Sequence, residues 1–110
     1  MKTLNLKETG ASKEDSIILV DMFLEEAKRE KLSAVKILHG YGSHGVGGVL
    51  HIAVRRHLAD LKRKKVIKTY FAGNKWNLLD EETVSALLQD KSCFDDDLNR
   101  SNPGITIVIL

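Results

Sequence analysis

Cysteine is almost missing from this chain of 110 residues: Cys93 stands alone, which excludes an intrachain disulfide and a cysteine-based metal site. A small filler thiol is its expected role. No apolar run approaches the roughly 20 residues that a membrane-spanning helix needs, so no membrane partner is expected. The opening stretch MKTLNLKETG lacks an apolar h-region, so no signal peptide is expected either. The chain reads as a soluble, cytoplasmic one. Internal repeats and linkers of separating composition are also lacking. A large excess of one charge is missing as well, and a net charge of +2 says little about partners.

The distribution of charge says more. Between His51 and Lys68 the cations Arg55, Arg56, Lys62, Arg63, Lys64, Lys65 and Lys68 face only Asp60, a local balance of +6. Between Asp80 and Arg100 the acids Asp80, Glu81, Glu82, Asp90, Asp95, Asp96 and Asp97 face Lys91 and Arg100, a balance of −5. One side of the molecule is therefore able to attract polyanions behind a near-neutral total. With 43% hydrophobic and 29% charged residues, the composition is that of a globular protein. The length suits one domain, 1–110, with one core.

Hydrophobic spacing sets the expected elements. TLNLK, residues 3–7, alternates weakly and suits a short strand. Ser12 offers an N-cap with Asp15 three residues later, and Ile17, Val20, Leu24 and Ala27, flanked by Phe23, predict a helix over about 13–31. AVKIL, 34–38, reads as a second strand. Leu50, Val54, Leu58 and Leu61 mark the core stripe of a helix over about 46–64, and VIKTYF, 66–71, reads as a third strand. Val84, Leu87 and Leu88, with acids in the first turn, predict a short helix within a long excursion over about 74–103. The following SCFDDDLNRSNPG has no period and reads as a mobile loop. ITIVIL, 105–110, is so apolar that it is expected in the middle of a sheet. The order β-α-β-α-β-(insertion with short helix)-β implies an α/β fold with a four-stranded mixed sheet. Leu24, Ile37, Leu50, Val54, Leu58 and Val108 are expected to be buried.

The chemistry concentrates between the second strand and the second helix. Five glycines fall between Gly40 and Gly48, with His39 before them and His44 among them. GYGSHG, 40–45, matches the G-x-G-x-x-G of dinucleotide sites, but it follows the second strand, and the next strand carries no acid at its end. No cofactor is expected. His39 and His44, and then His51 and His57, are spaced without a Cys or Asp to complete a zinc set, so no metal is expected. His57 falls at the edge of the helix's buried stripe and His51 on its solvent face. A glycine-rich turn entering a helix leaves amides unpaired where the dipole also favours an anion. Gly40 and Gly42 remove side chains that would block close approach. The plain alternative is a turn that holds no ligand.

ILHGYGSHGVGGVLHIAVRRHL, residues 37–58, resembles the core of the Smr (small MutS-related) domain. There a strand ending in H-G-x-G runs through a glycine loop into a helix of the form L-x-x-x-V-x-x-x-L, here His39, Gly40, Gly42, Leu50, Val54 and Leu58. DMFLEEA, 21–27, resembles the family's first helix. GITIVIL, 104–110, resembles its closing strand through Gly104, Thr106, Val108 and Leu110. The resemblance covers residues 4–72 and 104–110. It implies a two-layer α/β sandwich that binds nucleic acid, DNA or RNA, with some members nicking DNA or cleaving RNA. The family's first-strand signature L-D-x-H-G is missing. In one register Asn5 and Lys7 stand where Asp and His are expected; in the other Lys7 and Thr9 do, with Gly10 retained. The insertion before the last strand is a second departure.

Two functional expectations follow. The first is a module that grips the phosphate backbone with low sequence specificity and has weak or no endonuclease activity. Its contacts would be His39, Gly40, Tyr41, Gly42, Arg55, Arg56, Lys62, Arg63, Lys64 and Lys65, with Tyr41 stacking on a base or sugar and His39 the one candidate for proton transfer. The plain alternative for KRKK, 62–65, is a basic helix end favoured by the dipole. The second expectation is a degenerate domain that contacts a protein partner through its acidic insertion. If that insertion covers the basic helix, protein contact or autoinhibition gains; if helix and glycine loop share an open face, nucleic-acid binding gains.

Overall fold

The computed structural model describes residues 1–41 and 46–110, with residues 46 and 47 described by their backbone alone. The elements are β1 (Thr3–Asn5), α1 (Lys13–Arg29), β2 (Ala34–Leu38), α2 (Val46–Arg63), β3 (Thr69–Ala72), α3 (Glu81–Gln89) and β4 (Ile105–Ile109), with 3₁₀ turns at Gly73–Lys75 and Lys91–Cys93. The sheet is mixed, in the order β1-β2-β4-β3. β1 runs parallel to β2, and β4 runs antiparallel to both of its neighbours. The apolar β4 is thus central, as its composition requires.

The element ends have local causes. Ser12 Oγ accepts from the Asp15 amide at 3.1 Å and starts α1. That helix stops two residues short of the expected end because Glu30 caps it and Lys31 takes φ of +60°. Lys65, at φ +63°, ends α2 in the same way, and the Val66 amide donates back to Leu61 O. Residues 66–68 are therefore spent on closing the helix, and β3 begins three residues later than its β-rich sequence suggests.

Period-two alternation divides the apolar residues between two faces. Val35, Ile37 and Val108 point to one, where α1 and α2 cover them with Val20, Leu24, Leu50, Val54 and Leu58. All six residues expected in the core are buried. Ala34, Phe71, Ile105 and Ile107 point to the other face, and there the insertion supplies Trp76, Ala86, Leu87 and Cys93. The stretch expected as an insertion thus forms a third layer, and the part after α3 is no structureless loop. Lys36, on the insertion's side of β2, is held by Asp95 at 2.7 Å and Asp97 at 2.6 Å. Burial opposes its charge, but the hydrogen bonds to both carboxylates outweigh that and raise its pKa above the ordinary lysine value. The Trp76 indole N–H donates to Asp95 Oδ1 at 2.9 Å. The third helix is rotated from its expected face: Thr83, Ala86 and Leu87 are buried while Leu88 is 80% exposed.

Candidate functional site

β2 delivers His39 and Gly40 to the end of the sheet beside the start of β4. The amides of both donate to Gly104 O, at 3.0 and 2.9 Å. Gly40 sits at φ +79°, a conformation that favours glycine, and its Cα approaches within 3.3 Å of where a side chain on Gly104 would begin. The paired glycines thus allow two backbones to close on each other. This corrects the expectation of an unpaired amide at Gly40: its N–H is consumed within the fold. Gly42 and His44 lie outside the described residues.

His39 is fully buried, and its hydrogen bonds define its tautomer. Nδ1 lies 2.8 Å from Gly40 O, which only accepts, so Nδ1 carries the hydrogen. Burial, against the help of that bond and together with Arg55 and His51, pushes the ring's pKa down to about 4. The ring is therefore neutral at pH 7, and Nε2 accepts from Thr106 Oγ1 at 2.7 Å. Thr106 in turn accepts from Arg55 Nε at 3.2 Å. Arg55 Nη2 donates to the carbonyls of Pro103 and Ile105, each at 3.2 Å. A chain of donors thus runs from α2 through β4 to the end of β2. Burial lowers the pKa of Arg55 from a very high value, while the neighbouring Tyr41 and Tyr70 oppose that shift.

Tyr41 is half-exposed, with its ring 4.3 Å from that of His51. His51, expected on the solvent face of α2, is half-buried there. His57 meets Asp21 of α1 at 2.5 Å. Arg56 is exposed. The basic run divides: Arg63 and Lys64 both pair with Asp60, the latter at 2.9 Å, while Lys62 and Arg63 line a cleft with Arg55. Hydrogen bonds from Lys64, and the charges of both partners, hold the Asp60 carboxyl below its usual range. Three participants were not legible as such in the sequence. Thr106 appeared only as a strand residue, Lys75 as part of the insertion, and Tyr70 as part of a strand.

The first strand shows what stands opposite His39. The register pairs Leu4 with Ile37 and Asn5 with Leu38, and the Leu6 amide donates to Leu38 O. Buried Leu6 and exposed Lys7 follow at the strand's end, and Asn5 Oδ1 accepts from the Lys7 amide. Neither an acid nor a histidine comes from that strand. Among the described residues, no group of three or more His, Cys, Asp or Glu side chains is placed to hold a metal ion. No described helix is long and apolar enough to cross a membrane.

The acids of the insertion that make contacts make them away from α2. Asp95 and Asp97 hold Lys36, Asp90 accepts from Ser33 and Ser92, and Asp80 caps α3 at Thr83. The helix bearing the cations and the segment bearing the acids cover opposite faces of the sheet.

No curated protein matches the chain. Among solved structures, the crystal structure of the Smr domain of Thermus thermophilus MutS2 shares its fold, with a TM-score of 0.61 and 24% identity over 100% of this chain and 98% of that one. A family model described as Smr domain matches residues 6–77, from just after β1 to just past the 3₁₀ turn that follows β3. With most of its length matched, and with the H-G-x-G strand end and the fold in agreement, the chain belongs to the Smr domain family.

Proposed function

We propose that this domain binds nucleic acid, DNA or RNA, by its phosphate backbone, with low sequence specificity and weak or no endonuclease activity. The observation that supports this reading is the segregation of charge. Arg55, Arg56, Lys62 and Arg63 lie on the helix layer, while the acidic insertion packs on the other face of the sheet. Tyr41 is exposed at the end of β2, and α2 begins nearby with no acid in its first turn. A helix N-terminus favours an anion through its dipole. His39 acts here as a positioning residue: its neutral ring fixes Gly40 and, through Thr106, orients Arg55. Phosphodiester cleavage needs a positioned acid or base. A buried ring with both nitrogens engaged is a poor one, and Lys7 at the end of β1 is a poor base unless strongly desolvated. A gel-shift panel of single-stranded, duplex and branched DNA and RNA at two salt concentrations tests the reading. Salt-sensitive retardation is expected, and no retardation of any probe at low salt would overturn it.

A second reading rests on a separate observation. Leu79 is 97% exposed and lies with Leu78, Val84 and Leu88 around a groove of about 560 Å³ on α3. Exposed apolar side chains gathered at one place are a feature of contact surfaces. It supports a protein partner on the insertion, compatible with nucleic acid on the opposite layer.

A further inference from the structure

The cleft between α2 and β3 has about 620 Å³ of volume and is lined by Arg55, Ala59, Lys62, Arg63, Tyr70, Phe71, Ala72 and Lys75. Its helical wall uses positions 55, 59, 62 and 63, which fall on one side of α2 beside the buried stripe of Leu50, Val54 and Leu58. Ala59, exposed and small, keeps the middle of that wall open. The opposite wall is β3, an edge strand, with the half-buried ring of Tyr70. Lys75 arrives from the 3₁₀ turn that opens the insertion, where the Thr83 hydroxyl holds its carbonyl at 2.6 Å. Four cations thus surround one hollow. The neighbouring acid, Asp60, is shared between Arg63 and Lys64.

We propose that this cleft is a track for a single-stranded polynucleotide segment, entering at Arg55 from the glycine end of the sheet and passing Tyr70 toward Lys62, Arg63 and Lys75. The inference rests on the nucleic-acid reading above and adds to it the strandedness and the path. The shape argues for one strand. Duplex readers present a helix or ribbon that enters a groove about 12 Å wide, whereas here the charges line a concavity. A cationic groove with an aromatic wall is the arrangement that binds single strands with little base preference. From Arg55 to Arg63 the helix advances about 12 Å. At the stacked spacing of about 3.4 Å per phosphate, that length serves about four phosphates, in keeping with the four cations present. Arg55 belongs to both parts, since its guanidinium is tied to Thr106 while its side chain lines the cleft.

The test is fluorescence anisotropy of the full chain with labelled oligo-dT, oligo-U and a matched DNA duplex at two salt concentrations. Two changes act within the cleft alone. Ala59→Glu puts a carboxylate on its open wall at an exposed helical position, and Lys75→Gln removes a cation. Melting monitored by circular dichroism confirms that each variant is folded. The double variant is expected to lose about tenfold or more in affinity for the single strands. Its salt slope should flatten by at least about 0.7, since the added carboxylate also offsets a cation of the cleft, with duplex binding changed less than twofold. Tyr70→Leu, which keeps the packing and the charge, is expected to weaken single-strand binding about tenfold without altering the slope. The two single-strand arms decide which sugar the track prefers. Equal losses on duplex and single strands would overturn the track. So would unchanged single-strand binding in the double variant while Tyr41→Ala and Arg56→Gln abolish it, an outcome that leaves the nucleic-acid reading standing. A wild-type chain that binds none of the three probes would overturn both.

Discussion

The Thr106 hydroxyl lies 2.7 Å from Nε2 of His39, and both groups are buried at the end of the sheet. In the neutral ring Nδ1–H is committed to Gly40 O, so Nε2 accepts and the threonine donates. Protonation of Nε2 would turn that hydroxyl from donor to acceptor and would place a charge where burial disfavours it. This geometry makes the fold sensitive to mild acid.

Stability should therefore fall between about pH 6.5 and pH 4. His39 in the fold takes its proton near pH 4, whereas in the unfolded chain it does so near about 6.5. Between those values the unfolded chain holds more protons, so stability rises with pH and is fully present above about 6.5. The contribution is at most about 3 kcal/mol. Thermal melts across this range should show a fall in Tm toward acid for the wild type, much reduced in His39→Gln. A wild-type Tm that stays flat across the window contradicts the neutral buried ring.

Lys36→Met should loosen the insertion. The change leaves the half-buried carboxylates of Asp95 and Asp97 facing each other without their cation. Breaking such a group by removing one partner costs about 3–5 kcal/mol in well-buried cases, and somewhat less is expected here because Asp97 keeps some solvent contact. The single tryptophan, Trp76, is buried and bonded to Asp95, so its emission reports on this layer directly. A lower urea midpoint with a red-shifted folded-state emission is expected. An unchanged midpoint means the ion cluster contributes nothing net.

Gly73→Ala should destabilise the fold by about 1–3 kcal/mol. A Cβ there would fall 1.9 Å from Asn102 O and 2.4 Å from the Ile105 side chain. The first turn of the insertion and its last residues touch at this point, so the backbone itself must move. Equilibrium denaturation decides the matter, and a wild-type midpoint would show that the two segments are not in contact.

The four cations of the KRKK run should not act alike. Lys62 lines the cleft, whereas Lys64 is paired with Asp60 and Lys65 lies past the helix end. If about four phosphates are engaged, the log–log salt slope on a single strand is near −3. Lys62→Gln with Arg63→Gln should flatten it by about 1.4, and Lys64→Gln with Lys65→Gln by far less. Equal effects of the two pairs would mean that the run acts as a diffuse cationic helix end.

Cleavage should be weak or undetectable. Losing one positioned acid or base costs about 10²–10⁴ in rate, and here β1 supplies neither. Incubation of the purified protein with labelled single-stranded and branched substrates, with and without added magnesium, should leave them intact. Robust turnover that His39→Ala abolishes would show that the ring does transfer a proton, and would refute its positioning role.

Much of this was legible in the sequence because the signals are local. The spacing of Leu50, Val54 and Leu58 required a helix with one buried stripe, and the strong apolarity of Ile105–Ile109, broken only by Thr106, required a central strand. The H-G-x-G end of β2 and the charges of α2 marked the candidate site by composition alone. What the tertiary structure decided concerns groups far apart in the chain. Whether the Gly40 amide was free depended on Gly104, and whether His39 was a base or a fixed neutral ring depended on Thr106 and Arg55. The acidic stretch after α3 had no period to read, since its order comes from Lys36 and the sheet's second face. Lys75 and Tyr70 join Arg55 around one cleft only because β3 pairs at the edge beside α2. Hydrophobic period and turn chemistry act over a few residues, and so a single sequence displays them. Burial, hydrogen-bond partners and the shape of a cleft arise from contacts that only the folded chain creates.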